Sequence, residues 1–346
     1  MYGSSKINYR LTILVLTAAL GAFMILGVAM GAVWIKPGEV LTILYRHWGD
    51  PASLVGSLYT HDLIIFTIRL PRVLLAALVG AGLALSGAVF QGLFRNPMAD
   101  PYVIGVSSGA ALGAVTAILA QRMLNLSLTY GVPGFAFILA ILTIMVVYRL
   151  AKSGGKVPVM TLLLAGIAVN SLLSALVSLC MYYSGSDMHQ LVFWLMGGFS
   201  GRGWNHLAMF LPYAVLGSLI ILVYTRELNA MLIGEEPAQH LGINVEQVKF
   251  RLLIAAALLT GACVSVSGLI AFVGLIVPHM VRLISGPDHR VLLPLVVITG
   301  AIFMVAADIT ARVLIAPEEL PVGIVTALVG APFFIYLLKR QKRALF

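Results

Sequence analysis

Residues 69–94 read RLPRVLLAALVGAGLALSGAVFQGLF, in which two arginines open a run from Val73 to Phe94 without a charged side chain. An uncharged run of about 20 residues is long enough to cross the hydrocarbon core of a bilayer. Charge is costly at membrane depth, so Arg69 and Arg72 at the mouth of this run are candidates for a functional role. The segment predicts a membrane helix with a charged entrance.

The rest of the chain is similarly apolar. Of its 346 residues 60% are hydrophobic and only 10% are charged, whereas a soluble domain carries about a quarter charged residues. The clear hydrophobic stretches cover residues 11–35, 63–94, 102–120, 131–150, 158–183, 206–224, 250–272, 291–311 and 322–338. The first exceeds the core of a signal peptide, about 7–15 residues, and is interpreted as a retained span. The composition predicts a polytopic membrane protein.

The basic residues at the two ends of the chain imply a tenth span. They flank the series of stretches at Lys6, Arg10, Lys339 and Arg340. The positive-inside rule then places both termini in the cytoplasm, which requires an even number of spans. The remaining candidate is residues 273–288, a short segment that Pro278 interrupts. We predict an all-α membrane protein of about ten transmembrane helices, forming a single transmembrane domain over residues 1–346.

The remaining charges and the cysteines fit this topology. The net charge of +9 is assigned to short inner loops and not to nucleic-acid binding. Cys180 and Cys263 lie in apolar runs and are interpreted as packing residues, not as a disulfide or metal pair. Four arginines do not follow this preference of basic residues for the cytoplasmic side. The predicted topology places them on the outer side: Arg69, Arg72, Arg202 and Arg312.

The chain contains a weak internal repeat. At one offset of 181 residues, Gly80, Ser86, Gly87 and Pro97 recur as Gly261, Ser267, Gly268 and Pro278. The second copy starts five spans after the first, so it runs in the opposite direction. We predict an inverted repeat that relates spans 2–5 to spans 7–10, an arrangement suited to alternating access.

The sequence lacks an energy source of its own. The acidic residues lie in loops or near span ends, so the proton or sodium relay of an ion-coupled carrier is essentially missing. No complete phosphate-binding loop occurs either. Transport of a substrate against its gradient would therefore need a separate protein that supplies the energy. Such a protein could bind the longest inner loop, residues 225–249. Within it, residues 234–242 predict a short amphipathic helix between two glycines.

One span carries a polar stripe. Asn170, Ser174 and Ser178 recur every four residues and share one helix face. They could form hydrogen bonds between packed helices, or they could line a pathway. A weaker stripe in the last span contains Thr326 and Gly330.

A set of motifs in order along residues 60–338 resembles the FecCD-type permeases of bacterial ABC importers, which carry ferric siderophores, haem or vitamin B12. The motifs are Arg69–Arg72, Ala84–Gly87, Asn96–Pro101, Gly105–Ala110, Leu162–Gly166, Trp194–Gly198, Gly234-Glu235 with Ala238 and Leu241-Gly242, Phe272–His279, Asp288–Arg290 and Glu319–Gly323.

The resemblance implies a homodimeric permease in the bacterial cytoplasmic (inner) membrane, itself neither an enzyme nor a binder of cofactor, metal or nucleic acid. Two ATPase subunits would bind below, and one periplasmic or lipid-anchored substrate-binding protein above. Docking of that protein is expected at Arg69, Arg72 and Arg312. ATPase coupling is expected at Gly234, Glu235, Glu236, Ala238, Leu241 and Gly242. A cytoplasmic gate is expected at Asn96, Met98, Val159 and Met160, and a pathway lining at Asn170, Ser174, Ser178 and Thr326.

Two other classes of function compete with this one. A stand-alone ion-coupled secondary transporter is disfavoured by the missing internal acids, and a membrane anchor for a soluble enzyme would show no transport. The motifs are shared among siderophore, haem and cobalamin permeases. Ferric siderophore is the default expectation for the cargo.

Overall fold

The computed structural model describes residues 9–49, 55–125 and 130–344. In these residues the chain is almost entirely helical, apart from one isolated bridge between Ser153 and Lys156. The helices are α1 Tyr9–Ala29, α2 Pro37–Gly49, α3 Ser57–Leu63, α4 Leu70–Leu93, α5 Val106–Met123, α6 Gly131–Ala151, α7 Val159–Tyr182, α8 Met188–Met196, α9 Trp204–Val223, α10 Thr225–Ile233, α11 Glu235–His240, α12 Val245–Ser267, α13 Val273–Ser285, α14 His289–Val313 and α15 Val322–Ala344. The predicted all-α fold class is confirmed.

Seven of the described helices are long and apolar enough to cross a membrane, with α3 and α4 joined into one helical run, Ser57–Leu93. The three other predicted spans correspond to α5, to α13 and to α15. Each of the ten predicted stretches therefore contains a helix, of which seven are long and apolar enough to span a membrane and two, α13 and α15, are short and apolar. Lys6, one of the residues used to place the N-terminus in the cytoplasm, lies outside the described residues.

The segment that supplies the tenth span differs from its prediction in one respect. Pro278 lies inside a continuous α13, and the break precedes the helix, where Phe272 has a φ of +72°. A proline removes the hydrogen bond to the carbonyl four residues earlier, here that of Gly274. The Gln91 side-chain amide of α4 donates to the carbonyl oxygens of Gly274 and Leu275, at 3.5 and 3.0 Å. This neighbour allows the helix to continue through the proline.

Helix α4 forms the centre of the molecule, because its small residues allow close packing on several sides. A β-carbon at Gly80 would lie 2.3 Å from the carbonyl oxygen of Gly300 on α14, and one at Gly87 would lie 1.8 Å from that of Gly274 on α13. Close backbone approach at small residues is how membrane helices pack where no hydrophobic driving force exists. The uncharged run 73–94 is therefore surrounded by other helices and does not face the lipid.

The packing of α4 against α12 supports the inverted repeat. Val79 contacts Cys263, and Ser86 donates to the carbonyl of Ala256, so the two helices run antiparallel. Gly82 and Cys263 are counterparts at the offset of 181 residues, and a β-carbon at Gly82 would lie 2.7 Å from the Cys263 sulfur. Counterpart residues that touch each other lie on the axis that relates two copies.

The neighbours of these two helices repeat the relation. Gly80 of α4 packs on Gly300 of α14, and its counterpart Gly261 of α12 packs on Ala140 of α6. In the two copies, α14 and α6 are therefore equivalent partners of α4 and α12. Cys263 is buried and unpaired, and Cys180 is also free, as the sequence predicts.

Several elements were not predicted from the sequence. Helices α2 and α3 pair through their side chains, with His47 Nδ1 lying 2.7 Å from Asp62 Oδ1, and a π-helical segment Ile64–Arg69 joins α3 to α4. The polar loop 225–249 is folded into α10, α11 and the first turn of α12. The short helix predicted within residues 234–242 is observed as α11, and Gly234 and Gly242 flank it.

Candidate functional site: ionic clusters at the two ends of the central helices

The predicted docking residues and the predicted coupling residues lie at opposite ends of one helix pair. Arg72 at the start of α4 contacts Asp308 near the end of α14, whereas Gly92 at the end of α4 packs on His289 at the start of α14. The 20 residues between Arg72 and Gly92 span about 30 Å of helix. This length matches the hydrocarbon core of a bilayer, so the two ends lie about one membrane thickness apart.

At the first end, Arg72 joins two acidic side chains. Its Nε and Nη2 donate to Asp308 Oδ1 at 3.0 and 2.9 Å, and its Nη1 donates to both carboxylate oxygens of Glu319, at 3.0 and 2.8 Å. Arg312 Nε lies 3.1 Å from Asp308 Oδ2. We call these residues, together with Arg69, the outer cluster.

The other contacts of the outer cluster secure the end of α1. Arg69 donates to the carbonyls of Val28 and Ala29, at 2.8 and 2.9 Å, and Arg312 donates to that of Met30 at 2.8 Å. The last carbonyls of a helix lack partners within the helix and favour cations. The two arginines therefore cap the C-terminus of α1.

The charged entrance that the sequence predicts is buried by other parts of the same chain. Arg69, Arg72 and Arg312 are 6%, 6% and 4% exposed. Their guanidinium groups bind carbonyls and carboxylates of the same chain, because α1, α14 and the segment before α15 fold over the start of α4. All three side chains are buried, and among their nitrogens Arg312 Nη2 has no hydrogen-bond partner in the described residues.

A cavity of about 320 Å³ lies beside the outer cluster, with Arg72 and Glu319 on one wall and α8 on another. Arg202 and Trp194 also line it, and the Arg202 Nε and Trp194 Nε1 groups have no hydrogen-bond partner. No acidic side chain of the described chain forms an ion pair with Arg202, and burial lowers the pKa of its guanidinium. The sequence places Arg202 on the outer side, but only the fold brings it to this cavity.

At the opposite end, α11 projects from the helices as a short exposed element. Gly234 and Gly242 have φ values of +150° and +81°, which favour glycine and allow sharp turns on both sides. Ala238 is fully buried against the protein, whereas Leu241 is 67% exposed. Glu236 is also exposed. The segment therefore has one face held by the chain and one apolar tip that is free.

A second ionic cluster fixes α11 to α12. Lys249 Nζ lies 2.7 Å from Glu235 Oε1 and 3.4 Å from Glu246 Oε1. The lysine is buried, whereas both carboxylates are partly exposed. Glu246 Oε2 also accepts a hydrogen bond of 3.1 Å from the backbone N–H of Val157, just before α7. We call these four residues the inner cluster.

A further contact joins the coupling region to α14, and the sequence analysis missed it. Asn229 on α10 donates to Asp288 Oδ1 at 2.6 Å and accepts from the backbone N–H of His289 at 2.8 Å. The backbone N–H of Arg290 and the Asn229 amide hold the pKa of Asp288 below its usual value. The motif Asp288–Arg290 could have indicated a helix start, but not its partner on α10.

The predicted gate residues lie near this end. Asn96 is exposed and Met98 half-buried in the loop after α4, and Met160 is exposed at the start of α7, next to the half-buried Val159. The Arg95 guanidinium lies about 3.8 Å from the β-carbon position of Gly234. Both segments therefore border the coupling region.

The polar stripe divides into two parts. Asn170 Nδ2 donates to the carbonyls of Tyr102 and Val103, at 3.2 and 3.1 Å, so this residue packs α7 against the segment before α5. Ser174 and Ser178 are exposed farther along the same helix. Thr326 is fully buried and its hydroxyl donates to the carbonyl of Gly323. Asn170 and Thr326 thus form packing contacts within this chain.

Known proteins match both the sequence and this arrangement. The chain matches the FecCD transport family over residues 17–340. It is 49% identical to the cobalamin import system permease protein BtuC of Halobacterium salinarum, over 89% of this chain and 81% of that protein. It is 45% identical to the hemin transport system permease protein HmuU of Yersinia pestis, over 81% of this chain and 84% of that protein.

A solved structure agrees as well. An ABC transporter of the metal-chelate type, in an inward-facing conformation, gives a TM-score of 0.82 at 33% identity, over 95% of this chain and 98% of that one. The helical fold and these relatives define a multi-pass membrane permease. The chain belongs to the FecCD transport family, as its motifs predict.

Proposed function

We propose that the chain forms the translocation pathway of an ABC importer for a bulky metal chelate and works by alternating access. The observation that carries this proposal is α11, a short helix that presents an exposed tip and is tied by its buried side to the transmembrane helices. Two separate ATPase subunits would bind this tip. Nucleotide-driven closure would pull on α11 and move the helices around the pathway.

The surface of α7 supports a second copy of the chain as the other wall of the pathway. Only 17% of the most apolar part of this helix is buried, and Leu164, Leu172 and Leu179 on this helix are each more than half exposed. In a homodimer, part of this surface would face the other copy and part the lipid. Ser174 and Ser178 would then line a mildly polar passage, with the predicted gate at Asn96, Met98, Val159 and Met160 closing its inner end.

The outer face would receive one substrate-binding protein. Because Arg69, Arg72 and Arg312 are buried and bind groups of the same chain, their contribution to docking would be to hold α1 and Glu319 in place. The cavity beside them offers Arg202, which has no acidic partner among the described residues, as a direct contact for a carboxylate of the binding protein. Arg202→Glu would then weaken docking without loss of folding, whereas charge reversal at Arg312 would affect both.

The cargo would be one of the chelates carried by such importers. The relatives named for cobalamin and hemin favour a corrinoid or haem, and a ferric siderophore remains the third candidate. Bulky cargo fits a passage lined by few hydrogen-bonding groups, because selectivity would then reside mainly in the binding protein.

The test is uptake into proteoliposomes that contain the chain with its ATPase and binding protein. We expect import of cobalamin, hemin or a ferric siderophore that requires ATP and both partner proteins. Uptake by the chain alone, driven by a proton or sodium gradient, would show instead that it is a secondary transporter. An assembly that imports none of the three chelates would contradict the proposal.

A further inference from the structure

The inner cluster connects the proposed ATPase contact to the proposed gate by non-covalent contacts between segments that are distant in sequence. Glu235 is the first residue of α11, and Glu246 and Lys249 lie in the first turns of α12. Val157 lies two residues before Val159, where α7 begins. Three polar contacts, of 2.7, 3.4 and 3.1 Å, therefore lead from α11 through Lys249 and Glu246 to the start of α7.

Lys249 is the centre of this connection. Its side chain is 7% exposed, and its neighbours Glu235 and Glu246 are 35% and 26% exposed. A buried ammonium requires compensation, and here two carboxylates from different elements provide it. Without the lysine, the two carboxylates would retain like charges and repel each other. Lys249 therefore holds α11 and the Glu246 turn together.

The segment before α7 can move together with the first turn of α12, which contains Glu246. Residues 153–156 form a tight turn in which Gly154 and Gly155 have φ values of +57° and +83°. Val157 is buried and Pro158 precedes the helix, so this N–H is the last backbone donor before α7. A displacement of Glu246 would pull on the start of α7 directly, while the glycine turn adjusts its backbone.

We propose that Lys249 is a positioning residue that transmits the movement of α11 to the start of α7 and so links ATP hydrolysis to opening of the inner gate. This inference rests on the proposed function. It assigns the transmission of movement to a series of contacts, Glu235–Lys249–Glu246–Val157, which acts in addition to the covalent chain between α11 and α12.

The experiment compares substrate imported per ATP hydrolysed in reconstituted full assemblies, with the chelate that the unmodified chain imports. Lys249→Met is expected to lower this ratio by about tenfold, the factor that corresponds to the loss of one charged hydrogen bond, while ATP hydrolysis stays within about twofold. Lys249→Arg should restore most of the ratio. Lys156→Met, the same substitution at an exposed lysine of the neighbouring turn, should leave it unchanged.

Two results would overturn the inference: an unchanged ratio in Lys249→Met, or a parallel loss of hydrolysis and import, which would indicate a role in docking. If Lys249→Met does not accumulate, Glu246→Gln replaces it. This variant keeps an oxygen for the Val157 N–H but removes the charge that faces Lys249, and the ratio should fall by about half or more; an unchanged ratio again refutes the inference. Absence of ATP-driven import by the unmodified chain would instead refute the proposed function.

Discussion

The outer and inner clusters use the same chemistry but differ in how many of their charges are buried. In the outer cluster, Arg69, Arg72, Asp308 and Arg312 are buried and Glu319 alone reaches solvent, whereas Lys249 is the one buried charge of the inner cluster and both of its carboxylate partners reach solvent. The outer contacts join long helices to one another. The inner contacts join a six-residue helix, a helix start and a backbone N–H, which are all elements that can shift by small amounts.

The difference assigns the two ends different roles. Removing one member of a buried ion pair is strongly destabilising, so the buried charges Arg72, Asp308 and Arg312 resist rearrangement and fix the frame of α1, α4 and α14. In the inner cluster Lys249 has two carboxylate partners that both reach solvent, where ion pairs are weak, so one contact can change while the other is kept, and the cluster can follow a movement of the ATPase. The outer arginines thus stabilise a scaffold, and the inner lysine transmits movement.

The largest effect on stability is expected from a substitution in the outer cluster. Asp308→Asn keeps the shape of the side chain but leaves Arg72 and Arg312 without the carboxylate that lies between them. The free energy of unfolding should fall by about 3–5 kcal/mol, the cost of an uncompensated buried charge. Chemical unfolding of the purified chain in detergent measures it, with Glu318→Gln, an exposed neighbour of Glu319, as the control. Equal stability of the two variants would show that the outer cluster does not hold the frame.

An intermediate effect is expected in the rigid region between the clusters. Gly87→Ala would place a methyl group 1.8 Å from the carbonyl oxygen of Gly274, so α13 must move away from α4. We expect a loss of about 1–3 kcal/mol, as for other overpacked sites. Gly134→Ala, which has open space around its β-carbon position, should stabilise its helix slightly. Two variants of equal stability would contradict the close packing described for α4.

The smallest effect on stability is expected from a substitution in the inner cluster. Glu235→Gln also removes one carboxylate from an ion pair, but this carboxylate is about one-third exposed. The free energy of unfolding should fall by less than about 1 kcal/mol, and salt should reduce the difference further. Glu236→Gln, one residue along, is the matched control. A loss as large as that of Asp308→Asn would remove the distinction between the clusters.

The main features of the fold could be predicted from the sequence because the membrane imposes strong rules. Apolar length identifies most of the spans, and the sidedness of basic residues required a further span, which is α13. The glycines that flank α11 also gave its limits correctly. Helices α2 and α3 were missed because residues 36–62 mix polar and apolar side chains without a span-length run.

The partners of the polar side chains could not be predicted in the same way. Arg72 and Asp308 are separated by 236 residues, and nothing local shows that α14 folds over the start of α4. Asn170 and Ser178 look equivalent on one helix face, but only Asn170 reaches the carbonyls of Tyr102 and Val103. Lys249 belongs to a loop in the sequence, and its burial follows from the way α11 folds back on α12.

The central claim is that the two clusters lie on opposite faces of the membrane, and thiol labelling measures this directly. In a background with Cys180→Ala and Cys263→Ala, a single cysteine is introduced by Glu318→Cys near the outer cluster or by Lys156→Cys near the inner one; both positions are exposed. A membrane-impermeant maleimide should label the Glu318→Cys variant in intact cells and the Lys156→Cys variant only after permeabilisation. Labelling of both in intact cells, or the reverse pattern, would contradict the account.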